Sequence, residues 1–429
     1  MINVISYRWL ILFIFVFVCV SDYFIRLNSF IGISNGSTLI ILLSKFLSIV
    51  LLSFIFLKTY RRDCLPKVAS IVFLVMLGWQ FIVVLRGAGN VQGYWEWKVL
   101  LLQSIPIMFS PLFLIVGLRF DLADKLFLFI FKLLLIGSLI LIPYTLKVDY
   151  EAFSRSVLIV YVCVLFIPIL PKRWRIIVTS VALLSLFMDI TYRSNALRIL
   201  IPFALLLFYL FYRLDTKIYN KFLNVIAVFV LITPLVFLWL GYSGQFNIFQ
   251  DKIVDISYES GGSSNLSATN NLDADTRTFL YQEVFWSMDK NDSSYLFGQG
   301  AASGYESDYF IESELSDAGR FFSEVGFLNT LLHSGIIGVV FYCCILFLAV
   351  FYGINRSNNS LTALFSILLM FHWLLFFVES VPKYDALTFS IWFLIGLCLS
   401  NKFRSLEIDA LKEFFSTHVF DRKITVKWR

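Results

Sequence analysis

Long apolar runs separated by short polar turns dominate this chain of 429 residues. A helix needs about 20 apolar residues to cover the hydrocarbon core of a bilayer. Runs of that kind fall at 8–26, 37–57, 67–85, 98–118, 126–146, 156–171, 174–190, 197–212, 222–242, 336–352, 361–378 and 386–400. The pattern predicts an all-α polytopic membrane protein with about twelve transmembrane helices, of which 156–171, 174–190 and 386–400 are short or weak. It divides the chain into nine helices in 1–242, a large polar segment at 243–335, three helices in 336–400 and a basic tail at 401–429. No internal repeat is visible, and such a repeat would have pointed to a transporter.

The polar segment differs from the rest in kind. Residues 243–324 carry fourteen acids and four bases, a net charge of −10. SYESGGSSNLSATNNLDAD reads as linker. Thr276–Met288 reads as a short helix with Asp275 or Thr276 as its N-cap. FGQGAASG reads as a turn, and Phe322–Ser334 as an amphipathic helix feeding the next span at Gly335. The tail after Asn401 is amphipathic and basic, with Phe414, Phe415, Phe420 and Trp428, and predicts an interfacial helix.

Composition strengthens the membrane reading. The hydrophobic fraction is 59% and only 15% of residues are charged, with a mean hydropathy of +0.81; a soluble domain is roughly 45–50% apolar. The net charge of +6 is split between short connections and the tail, so it is no nucleic-acid signal. With the N-terminus cytoplasmic, Arg61, Arg62, Lys172, Arg173, Arg175 and Arg356 fall inside with the basic tail. Short outer connections hold Arg86, Lys98, Lys147, Arg155, Arg193, Arg198 and Lys383. Excess Lys and Arg mark cytoplasmic connections, so both termini are expected inside and the acidic segment outside. The first run, lacking a small-residue cleavage site, reads as a retained helix. Five of the six cysteines lie in expected spans, and no disulfide framework or Cys/His metal spacing exists.

Ionisable residues near spans are the candidates for chemistry, because burying them in a bilayer is costly. Lys45 and Lys132 lie inside spans; Lys45 lines a functional cavity, is paired structurally or snorkels, and Lys132 reads as a snorkelling side chain. Arg193 and Arg198 flank a tight outer connection, where a lipid-linked phosphate would sit. A guanidinium binds phosphate oxygens bidentately and keeps its charge; the alternative is interfacial snorkelling, with Asp189 as a structural partner. Arg277 lies in the first turn of its expected helix, where a base opposes the helix dipole. An anionic ligand, or Asp273 and Asp275, would then be its partner. Arg320 is a similar candidate, and Arg86 and Arg155 have weaker claims. Glu324 sits where the acidic segment returns to the membrane; it reads as a general base or as a helix-start carboxylate. His333 is a further candidate ligand or a structural histidine, and His372 reads as buried with a neighbouring partner. No metal triad is evident, and FGQGAASG lacks the lysine and preceding strand of an ATP-binding loop.

Three stretches, in order, carry a resemblance: TYRSNALRIL; TRTFLYQEVFWSM followed by LFGQGAASGY; and SEVGFLNTLLHSGIIGVVFY. Together with a large late loop they resemble the O-antigen polymerase and O-antigen ligase superfamily. The motifs cover about fifty residues, the architecture most of the chain. The resemblance implies a metal-independent GT-C-like membrane glycosyltransferase that needs no cofactor. Its substrates would be undecaprenyl-diphosphate-linked glycans, its surroundings membrane lipids of a bacterial inner membrane, and its partner a chain-length regulator protein. Arg193 matches the family's first diphosphate-binding arginine, with Arg198 a close alternative because the order of Ser and Arg is changed here. Arg277 matches the loop arginine. Counting back from Gly335, the ligases carry a histidine where this chain has Glu324, and His333 does not align with it. That departure favours polymerase over ligase; a lipid-glycan flippase is the remaining alternative.

Overall fold

The computed structural model describes residues 4–31, 37–61, 64–145, 159–188, 193–212, 216–242, 257–259, 269–271, 278–289, 293–306 and 319–420. Helices α1 (Val4–Ile31), α2 (Ser37–Thr59) and α3 (Lys67–Asn90) follow the first three apolar runs. Next comes α4 (Tyr94–Leu118), which begins where the Glu96 carboxylate accepts from the Gly93 amide at 3.2 Å. It is not regular throughout. A π turn covers Leu100–Ser104, and Pro106 and Pro111, each lacking an amide hydrogen, accompany a 3-10 turn at Ser110–Phe113. Then follow α5 (Asp124–Thr145), α6 (Val160–Val164), α7 (Lys172–Met188), α8 (Arg193–Tyr212) and α9 (Thr216–Tyr242).

Past α9, two three-residue strands, β1 (Ser257–Glu259) and β2 (Thr269–Asn271), pair antiparallel with Ser257 opposite Asn271. Short helices α10 (Thr278–Asp289) and α11 (Ser293–Phe297) come next. The chain then re-enters the bundle through α12 (Gly326–Asn355), α13 (Ser360–Phe376) and α14 (Ala386–Leu399). Asn359 caps α13 by accepting from the Thr362 amide, and Asp385 caps α14 by accepting from Thr388. The tail forms α15 (Asn401–Ser405), α16 (Ile408–Phe414) and a π turn at Phe415–Phe420.

Five described helices are long and apolar enough to cross a membrane: Thr38–Thr59, Lys67–Asn90, Tyr94–Leu118, Asn220–Leu240 and Gly326–Asn355. The chain is a helical membrane protein. Not every expected run is a regular helix of that length. Within the described residues, 156–171 holds only α6 and a 3-10 turn at Ile167–Ile169, where Pro168 removes a backbone donor. The last run, α14, is buried from Leu387 to Leu399 and stands inside the bundle. It crosses α4 closely enough that a Cβ on Gly117 would meet the Phe393 carbonyl oxygen.

The tail differs from an interfacial helix. Phe403, Leu411, Phe414 and Phe415 are buried. The Phe415 ring lies 4.9 Å from Phe127, and Phe420 stacks on Trp174 at 5.2 Å. The apolar face of its described part, as far as Phe420, is largely covered by protein, and Trp428 lies outside the described residues.

Side-chain pairings sort the helix ends into two sets. At one end Arg8 pairs with Asp124 at 3.0 Å, and Lys402 reaches Asp121 at 3.3 Å. The Asn358 amide donates to the Arg404 carbonyl there. This is the tail end. The opposite, loop end gathers the close of α3, the starts of α8 and α12, and the connection between α13 and α14.

Candidate functional site

At the loop end, α12 is interrupted by Gly335, whose φ of 68° lies in the left-handed region. The break turns the carbonyls of Leu332 and His333 out of the helix ladder. The Gln299 amide donates to Leu332 at 2.7 Å and Gly300 to His333 at 3.1 Å. Gly298 and Gly300 also have positive φ, so this is the glycine turn expected from FGQGAASG. Arg86, at the close of α3, donates to the carbonyls of Phe297 at 2.7 Å and Gly298 at 2.8 Å. His333 is fully buried, its Nε2 lies 3.2 Å from the Ser303 carbonyl, and the Phe322 ring meets it edge-on at 5.1 Å. Arg86 and His333 thus fasten the returning chain to the bundle.

Just ahead of the start of α12 at Gly326, a second cluster forms. Tyr305 and Arg320 exchange backbone hydrogen bonds of 2.9 and 2.8 Å. The Arg320 guanidinium pairs with Glu324 at 3.6 Å. Burial pushes the Tyr305 phenol up to about 12, with Arg320 beside it pulling the other way and the Glu283 carboxylate adding to the rise. Glu324 precedes α12 instead of lying within a helix, because the Ser323 amide and carbonyl are taken by the Asn329 side chain at 2.7 and 2.9 Å. With 56% of its side chain exposed, Glu324 is accessible from the solvent side. An exposed ion pair contributes about 0–1 kcal/mol. Glu324→Gln is therefore expected to keep thermal stability within about 1 kcal/mol of wild type in detergent. A larger loss would make Glu324 a structural residue.

Arg198 occupies a different setting. It is buried near the start of α8 and forms an ion pair with Glu379, in the connection after α13. The Glu379 carbonyl accepts from the Gly326 amide at 2.7 Å, two residues past Glu324 in sequence. The Tyr281 hydroxyl of α10 donates to the Phe377 carbonyl at 2.6 Å. Arg198, Glu379, α10 and the Glu324 segment therefore meet around one connection.

Deeper in the bundle, buried Lys45 donates to the Leu102 carbonyl at 2.6 Å, with the charges of Asp385 and Asp22 acting on it. The Tyr342 hydroxyl and His372 Nε2 lie 2.9 Å apart, so His372 has the neighbour its apolar context demanded.

The structure brings Arg320 to Glu324, gives Arg198 an acidic partner and assigns His333 to the turn. Arg277 and the side chain of Arg193 lie outside the described residues, as do Arg155 and Asp189. Glu379, Asp385, Glu283 and Tyr305 were missed from sequence. A usable signal existed for the first two: ESVPKYDAL places both acids in a short connection between apolar runs.

Fold and site define a helical membrane protein with one buried and one exposed ion pair where the polar segment rejoins its bundle. Comparison with protein-family models, curated proteins and solved structures returns no match.

Proposed function

We propose that this chain is a polymerase of the O-antigen polymerase type. It would join undecaprenyl-diphosphate-linked oligosaccharide repeat units into a surface polysaccharide at the outer face of a bacterial inner membrane. In this reading the chain crosses about twelve times, both termini are cytoplasmic, and the loop end faces outward. The observation that carries it is the gathering of Arg320, Glu324, Arg198 and Glu379 at the end where the acidic segment joins the bundle. The tail, through Lys402 and its partner Asp121, lies at the other end, and the excess of Lys and Arg expected of cytoplasmic connections supports placing that end inside.

The chemistry follows from those groups. A hydroxyl of the acceptor unit attacks the anomeric carbon of the donor chain, forming a new C–O bond. The bond from that carbon to the lipid diphosphate breaks, and the diphosphate leaves with the electron pair. Glu324 orients the hydroxyl and takes its proton. Fixed guanidiniums stabilise the charge growing on the leaving group. Arg198 is already neutralised by Glu379, which favours Arg193, with Arg277, as the diphosphate ligand.

Deletion of the chain is expected to leave single repeat units on the outer face, read by gel analysis of the glycan. Arg277→Ala, Arg193→Ala and Glu324→Ala are each expected to shorten the glycan at normal protein level. If all three keep long chains, the site assignment fails. Long lipid-linked chains without surface attachment would show a ligase, and substrate accumulating on the cytoplasmic face a flippase.

A further inference from the structure

The glycine turn has a second property, separate from any role in polymerisation. Leu296 and Phe297, just ahead of it, are 52% and 43% exposed. Behind this apolar tip the backbone is internally satisfied. Gly298, Gln299, Gly300 and Ala301 donate to Ser294, Leu332, His333 and Val83. The carbonyls of Phe297 and Gly298 accept from Arg86, and that of Gln299 accepts from Ser303 at 2.8 Å. The Ser303 amide takes the Gly300 carbonyl. A turn in water has no need of such closure, whereas irregular backbone at membrane depth requires it.

The level of the turn is fixed by its neighbours. From Gly335 to Asn355, α12 rises about 30 Å, enough to cover the hydrocarbon core of a bilayer. Exposed Trp95 and Trp97, at the start of α4 and a few residues past the end of α3, suit the membrane–water boundary, where such rings concentrate. Phe297 lies 6.1 Å from Trp79, which is about 16 Å along α3 from its end at Asn90. The neighbouring face of α3 presents Leu74, Val75, Ile82 and Leu85 outward, as a lipid-facing stripe does. Arg86 could extend toward water from its place on α3, yet it is spent on the carbonyls of the turn.

We infer that α11 and its glycine turn form a re-entrant wedge, with Leu296 and Phe297 immersed in lipid acyl chains of the leaflet at the loop end. The partner is the bilayer itself, entered beside α3 and continuous with its lipid-facing stripe.

The test places the photoreactive residue p-benzoylphenylalanine singly at positions 296, 297, 82 and 306 of the full chain. The protein is held in nanodiscs of phosphatidylethanolamine and phosphatidylglycerol. Ile82 serves as the lipid reference and exposed Glu306 as the water reference. After illumination, acyl-chain adducts are counted by mass spectrometry on monodisperse material. Positions 296 and 297 are expected to match position 82 and to exceed position 306 about tenfold. Yields at 296 and 297 equal to that at 306, with position 82 still reacting, would overturn the wedge. Should the probe at 297 disturb the Trp79 contact and cost monodispersity, position 296 decides, being the more exposed.

Discussion

Gly335→Ala is expected to lower stability by about 2–5 kcal/mol, combining a left-handed backbone penalty of about 1–2 kcal/mol with overpacking of about 1–3 kcal/mol. Gly335 has a φ of 68°, and an added Cβ would run into the Leu296 carbonyl and the Gly298 amide. Both obstructing groups are backbone, so no side chain can swing aside. The damage should be local at first. The turn would lose its seat on Leu332 and His333, and limited proteolysis should cut near residues 296–301 well before the bundle melts. Gly78→Ala and Gly89→Ala are the controls. Neither has a heavy atom within 4 Å of its added Cβ or a positive φ, so each should be neutral or stabilising by up to about 1 kcal/mol in helix α3. An unchanged melting temperature and cleavage pattern for Gly335→Ala would mean that the turn does not lock α12.

The second large effect is expected at the pair inside the loop end. Arg198→Ala would strand the Glu379 carboxylate, 88% of whose side chain surface is covered when paired. Removing one partner of a buried ion pair typically costs about 3–5 kcal/mol, while replacing both by apolar groups of similar volume is often neutral. Arg198→Leu combined with Glu379→Leu should therefore recover most of the stability lost by either single change. Glycan length then separates structure from chemistry. With Arg193 and Arg277 as the diphosphate ligands, the double variant should make long chains wherever its protein level is normal. A well-folded double variant that makes only single repeats would return Arg198 to the reaction itself.

Local pattern was legible in the sequence, and long-range pairing was not. Runs of apolar residues located the spans that exist as helices, and the limits of α10 fall within two residues of the expected Thr276–Met288. FGQGAASG announced its turn because positive φ is written in glycine. Prolines defeated the expectation for 156–171, and the burial of α14 is invisible to a count of apolar residues, since lipid and protein interior demand the same composition. Glu379 is 181 residues from Arg198, and His333 is 30 from Ser303. No periodicity reports such separations. The described part of the tail shows a related limit: its amphipathic pattern says that one face is covered, and only the contacts with Phe127 and Trp174 say by what.

Sidedness of the loop end tests the central proposal most directly. Arg193→Cys and Arg277→Cys, expressed in intact cells of a deletion strain, would be exposed to a maleimide too polar to cross the inner membrane, with the parent chain giving the background of its own six cysteines. Both positions should be labelled from the outside before the membrane is breached. Labelling of both only after the cytoplasm is opened would put the arginines on the wrong face for lipid-linked glycan and contradict the polymerase reading.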